Sequence, residues 1–390
     1  MKLSRLSPAL ALLALAGGCS AGAVTITQVD PPPTSPPDAS TSDSGADSGA
    51  IDSGSTDSAV NPTFEADPKN CGAKGHDCLG RTCSAGLCAR DELRTGGGTE
   101  VFRNLAVHGG VITTRVDVAG ANDVIRRGPS TPGAADTVLA TLTGAPQLYY
   151  FSATDDSVLA VESSAGVQRW AVPGGAFVDL APGGKEYAAG TGEVFFYDNK
   201  PATHGVRVVP VAGGASTLVS DAVPGDLFAI TSDTTDVYVA NSIPDIYRVP
   251  KTGGAPTKIA IAGLPDFNAA QLALTPTRIV IIGFDYGGSV SCDTSTYAIW
   301  SAPRAGGAAV EVMSATGFIG GFHVDGEVAY WQEPTCNGAT PKTYLLKRRP
   351  VDASTPALSL AKGPTSPTDI QSDAQYMYWL EPLGIFRTPK

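Results

Sequence analysis

From residue 99 to the C-terminus, short apolar stretches alternate with polar punctuation. One unit recurs seven times: an apolar strand ends near Pro or Gly-Gly, and another short strand opens. The clearest copies are Val206-Arg-Val-Val-Pro-Val-Ala-Gly-Gly214, Ile246-Tyr-Arg-Val-Pro-Lys-Thr-Gly-Gly254 and Ile299-Trp-Ser-Ala-Pro-Arg-Ala-Gly-Gly307. Weaker copies begin at Val124, Val167, Leu346 and Ile385. Two further strands precede each copy, such as Leu227-Phe-Ala-Ile and Val237-Tyr-Val-Ala ahead of Ile246. A spacing of about 43 residues suits a four-stranded blade, and a self-similar array of this length predicts a β-propeller.

The two ends of this region fit the same count. The last unit breaks off at Thr388-Pro389-Lys390 with no final strand, while Gly96-Gly-Gly-Thr-Glu-Val-Phe-Arg103 reads as the missing turn and strand. The N-terminal strand is therefore expected to complete the last blade, which removes free sheet edges. The predicted fold is all-β: a seven-bladed propeller of four-stranded antiparallel blades over residues 99–390. Composition agrees, since 45 Gly, 30 Pro and 17% charged residues in 390 favour short strands and turns over a helical bundle. A formal charge of -11 excludes a nucleic-acid footprint.

The first twenty residues give an address. A basic start at Met1, Lys2 and Arg5 leads into an apolar run, Leu10 to Ala16, that is too short for a bilayer, and then into Ala16-Gly-Gly-Cys19. This resembles the lipobox of bacterial lipoproteins, although the lipobox leucine would be Leu15, one place further from the cysteine than usual. The resemblance implies a signal peptide over residues 1–18, a diacylated Cys19 as the new N-terminus, and a membrane held through that lipid. Ser20 in place of Asp implies the outer membrane. The alternative is a soluble secreted chain cut after Ala21-Gly-Ala23. Residues 19–70, with Pro31-Pro-Pro33 and the repetitive Ser/Asp/Gly stretch, have too few large apolar side chains to offset ordering entropy and read as an acidic, disordered tether.

Seven cysteines call for an oxidising compartment or a metal. Cys71, Cys78, Cys83 and Cys88 form a mini-module over residues 71–88 without any CxxC pair, which favours two disulfides over zinc and leaves three pairings open. His76 inside it is expected at the surface. The run resembles small Cys-Gly-rich modules in envelope lipoproteins of myxobacterial type. Cys292 and Cys336 fall in insertions between the second and third strands of the fifth and sixth blades. Adjacent blades would bring them together, so a disulfide is predicted.

The inserted loops are expected on the face that carries the blade-to-blade connections, where binding residues concentrate. Trp331 with Glu333 and Trp379 with Glu381 end the second strands of two blades; an aromatic face beside a carboxylate suits a sugar or a cationic peptide, and the competing reading is packing between blades. His108 and His323 are assigned corresponding places on innermost strands, facing the channel with Asp325 nearby. No catalytic motif surrounds them. The repeat resembles the NHL-like, TolB-like and virginiamycin B lyase-like propellers, a resemblance that implies a fold and carries over no catalytic residue. The expectation is a monomeric binding platform for a protein, peptide or glycan, requiring no cofactor, more a binder than an enzyme. The alternatives are a lyase or hydrolase at the channel mouth and a structural spacer.

Overall fold

The computed structural model describes residues 64–390 apart from 143–147, 163–165, 173–176, 182–185, 191, 201–202, 242–244, 287–294, 318, 320, 338–339 and 364–367. The chain forms seven four-stranded antiparallel blades in sequence order, each running from an inner to an outer strand. All seven recurring sequence units are third strands, for example Ile246–Pro250 in blade 4 and Ser295–Pro303 in blade 5. The Gly-Gly pairs that follow the three clearest of them need glycine. Gly253 and Gly254 have φ of 88° and 129°, and Gly306 and Gly307 have 95° and 130°, in the region L side chains avoid.

The core is divided among the seams between blades. Seven hydrophobic clusters each straddle one seam, from Phe195 and Tyr197 against Val237 and Val239 (blades 3 and 4) to Leu105 and Val107 against Tyr378 and Leu380 (blades 1 and 7). Burying each large side chain is worth about 1.5–3 kcal/mol, so each blade draws much of its stabilisation from its neighbours.

A second device joins the blades. After its third strand each blade places one residue whose backbone N–H bonds the turn between that blade's first and second strands: Ser130, Val172, Val211, Lys251, Arg304, Val351 and Lys390. Most of their side chains reach back to the preceding blade. Lys251 Nζ lies 2.8 Å from Glu193 and 4.5 Å over the Phe195 ring. Arg304 pairs with Asp233 and donates to the Tyr238 hydroxyl at 2.9 Å. Val172, Val211 and Val351 do the same with apolar contacts.

The ring closes as expected, through an N-terminal strand, but not through the expected one. Asp91–Thr95 is the outer strand of blade 7, paired with Gly384–Pro389, whereas Glu100–His108 is the innermost strand of blade 1. The Val101 to Arg103 stretch is thus the start of a blade, because Leu105 and Val107 must face Tyr378 and Leu380 across the last seam. Cys71–Cys83 and Cys78–Cys88 are the two disulfides of the mini-module. Its fold takes in earlier residues, since the backbone carbonyls of Phe64, Glu65 and Pro68 accept hydrogen bonds from Gly72, Gly86 and Cys78. Cys19 and Cys292 lie outside the described residues. Cys336 lies on the second strand of blade 6, Val328–Asn337.

Candidate functional site: the long-hairpin face and the channel mouth

In a blade whose strands run out from the channel, the second-to-third hairpins share one face with the blade-to-blade connections. On that face two neighbouring blades stand out. The second strands of blades 2, 3, 4 and 7 have six residues, whereas blade 5 uses Arg278–Tyr286 with Ser295–Pro303 and blade 6 uses Val328–Asn337 with Thr340–Pro350. Blade 6 pairs from Val328↔Pro350 out to Asn337↔Thr340, and blade 7 only from Tyr376↔Pro389 to Glu381↔Gly384. At about 3.4 Å per residue the four extra positions carry the blade 6 hairpin about 14 Å further. At its base Trp331 Nε1 donates to Glu333 at 3.2 Å, and Lys347 reaches the same carboxylate at 2.7 Å.

The innermost strands shape the channel mouth on this face. Five carry a β-bulge near their start, at Phe102/Asn104, Leu148/Tyr150, Leu227/Ala229, Ala269/Gln271 and Thr368/Ile370. A bulge leaves one residue unpaired and re-aims it. Among those residues Phe228 is 44% exposed and Arg103 is exposed. Asp369 is the counterpart in blade 7. It is buried, has φ of 45°, and its Oδ2 accepts the Leu105 N–H at 3.0 Å, tying the last blade to the first. None of these three stands out in the sequence, because a bulge is a register event set by the partner strand.

Of the two readings of Trp331 and Trp379, packing between blades is the one that matches their burial in seams. Trp331 is 1% and Trp379 2% exposed. Trp331 packs with blade 5, and Trp379 faces blade 6, stacked on Phe386 at 6.0 Å. Both indoles donate to the glutamate two residues on, which lies on the same side of the strand. Glu381 is also held by Arg90, whose guanidinium lies 4.1 Å over Phe386. The repeated Trp-x-Glu is therefore a seam-packing unit in which the carboxylate satisfies a buried indole N–H.

The histidines do not occupy corresponding places. His108 pairs with Val111 at the very end of its strand, as Asp325 pairs with Val328, whereas His323 lies two positions further in, opposite Tyr330. His108 Nε2 is 3.7 Å from Asp155 at the boundary of blades 1 and 2. His323 is buried in the seam of blades 6 and 7, where Nε2 lies 2.9 Å from Ser372 Oγ. Ser372 Oγ also lies 3.2 Å from Asp325, so one hydroxyl bridges the imidazole of blade 6 and the carboxylate at the end of the same strand. Lys390, the reach-back residue of blade 7, completes the cluster on Asp325. Burial pushes the His323 pKa down to about 4, Asp325 opposing and Lys390 adding to the shift. The cluster ties blade 6 to blade 7 across their seam.

His76 is buried rather than exposed, with Nδ1 2.6 Å from the Cys71 carbonyl. Burial lowers its pKa, against a hydrogen bond to Cys71 that raises it. Among the described residues the one group spaced to hold a metal is Cys71, Cys78 and Cys88, whose sulfurs lie within 4.8 Å of one another but are consumed in disulfides.

No protein-family description matches the chain, and no curated protein does. Solved structures share the fold. Virginiamycin B lyase from Staphylococcus aureus is 12% identical, with a TM-score of 0.53 over 77% of this chain and 99% of its own. YCF48 bound to D1 peptide is 12% identical, with a TM-score of 0.50 over 77% and 94%. Oligogalacturonate lyase in complex with manganese is 12% identical, with a TM-score of 0.50 over 72% and 86%. At this identity the likeness is one of fold: a seven-bladed propeller whose neighbours include both binding and lyase propellers.

Proposed function

We propose that this chain is a monomeric, lipid-anchored cell-envelope protein whose propeller is an interaction platform for a protein, peptide or glycan. The observation that carries the reading is the pair of elongated hairpins on blades 5 and 6, rising beside a channel mouth where Phe228 and Arg103 are exposed. Rigid blades hold both, so a ligand meets a preformed surface with an aromatic ring and the exposed Arg103–Asp117 ion pair. The propeller fold is commonly a protein-binding platform, and YCF48 bound to D1 peptide is a peptide-bound instance. The address rests on the sequence alone: a leader over residues 1–18, lipid on Cys19, and a tether from there to residue 63, where the folded module begins, holding the propeller off the outer membrane. Cys292 and Cys336 would join the two long hairpins.

The test uses the full chain on peptide and glycan arrays, followed by Phe228→Ala and a variant with residues 287–294 replaced by Asn-Gly. Loss of a captured ligand is expected in both, with an unchanged melting temperature for Phe228→Ala, whose side chain is already 44% exposed; binding that survives both changes removes this face as the site. Non-reducing mass spectrometry of the native membrane fraction is expected to show acylated Cys19 and a linked Cys292–Cys336 peptide. An unmodified N-terminus beyond Cys19 overturns the anchor.

A further inference from the structure

The disulfide module has no part in the binding face, yet it is docked where the ring closes. Its described apolar cluster consists of cysteines, with Cys71, Cys78 and Cys88 buried and Cys83 against them. A segment with so little else to bury is held by its crosslinks. From Cys88 the chain runs through Ala89 and Arg90 straight into the closing strand Asp91–Thr95. That strand registers with blade 7 at only four positions, around a bulge between Glu92 and Arg94.

Four cations hold the closing strand: Arg94 on the strand itself pairs with Asp136 of blade 1 at 2.8 Å, and of the other three two come from the module side. Arg81 lies inside both disulfide loops and donates Nε–H to Asp91 at 2.9 Å, with its guanidinium 5.0 Å over the Tyr376 ring. Arg387 of blade 7 covers the same ring at 4.1 Å and donates to the same carboxylate at 2.9 Å. Arg90 holds Glu381. The module strand Leu87–Cys88 also packs on the outer strand of blade 6, Leu358–Gly363.

We propose that the module is a redox-dependent lock on ring closure: its two disulfides aim Arg81 at Asp91 and so hold the closing strand in blade 7. Forming the lock removes four electrons and four protons from four thiols. By thiol–disulfide exchange they pass to two equivalents of a disulfide oxidant, a small-molecule disulfide or a thiol oxidoreductase, which is reduced to its dithiol. In the reduced chain Arg81 sits on an unrestrained loop, and Leu93 loses its hold on the seam of blades 7 and 1, where it packs with Phe102, Leu105 and Ile385. The propeller is thereby completed only where thiols are oxidised.

The experiment is hydrogen exchange on the full chain carrying Cys292→Ser and Cys336→Ser, so that dithiothreitol meets only the module disulfides. Reduction is expected to speed exchange of the Asp91–Thr95 and Gly384–Pro389 amides at least about tenfold while Asp236–Asn241 in blade 4 stays protected. Arg81→Ala, with both disulfides intact, is expected to loosen the same strands. Unchanged exchange in Asp91–Thr95 on reduction overturns the proposal, as does equal acceleration in all seven blades or a closing strand that stays protected in Arg81→Ala.

Discussion

Replacing Trp379 by alanine separates a packing role from a ligand-binding one. The side chain is 2% exposed, stacks on Phe386 at 6.0 Å, and fills the seam against Tyr330, Leu346 and Leu360 of blade 6. Its Nε1 donates to Glu381 at 3.1 Å, and Glu381 in turn holds Arg90, the last residue before the closing strand. Truncating a buried Trp costs about 3–5 kcal/mol through lost transfer energy and the cavity left behind. A propeller of roughly 300 residues unfolds with an entropy of about 0.6 kcal/mol/K, so the melting temperature should fall by about 5–8 °C. Trp379→Phe keeps the stacking and loses the indole donor, for about 1–2 kcal/mol and roughly 2–3 °C. Calorimetry of the full chain reads both, with acrylamide quenching of tryptophan emission as an independent check on burial. An alanine variant that melts within about 1 °C of the parent while losing a captured ligand would refute the seam assignment.

Further outcomes follow from other contacts. His323 has a folded pKa of about 4, below the 6.5 of the free side chain, so the unfolded chain binds the extra proton first. Stability should therefore fall as pH drops from about 6.5 to about 4 and level off below, for this group; His323→Gln should flatten that slope in urea titrations run across the window, and an unchanged slope would assign it elsewhere. Arg304→Ala removes the reach-back contact with Asp233 and Tyr238 and should cost about 1–2 kcal/mol, with Arg304→Lys recovering only part, since an ammonium lacks the guanidinium fork; equal stability of all three proteins would count against the device. Gly254→Ala places its Cβ in open space, so its expected cost of about 1–3 kcal/mol is the backbone's alone at φ 129°, and a melt matching the parent would contradict it.

The blade count was legible because its signal is local. A third strand followed by Pro and a Gly-Gly turn is written in nine consecutive residues, and the turn's positive φ values leave glycine no substitute. The same locality made the cysteine module readable as disulfide-bonded, since Cys71 and Cys83, and Cys78 and Cys88, are only 12 and 10 residues apart. Tertiary structure alone decided which N-terminal strand closes the ring. Asp91–Thr95 and Glu100–His108 both read as strands, and what separates them is packing against Tyr378 and Ile385, nearly the whole propeller away. It also decided that Trp331 and Trp379 are buried. A Trp-x-Glu repeat fits an open face or a seam equally well, and the choice falls to the neighbouring blade and to Arg90, 291 residues from Glu381. His323 and Ser372 meet for the same reason, and the exposed Phe228 is set out by a bulge. Sequence fixes what each strand wants to bury, but only the closed ring, which brings blade 7 against blade 1, determines what is left for a ligand to touch.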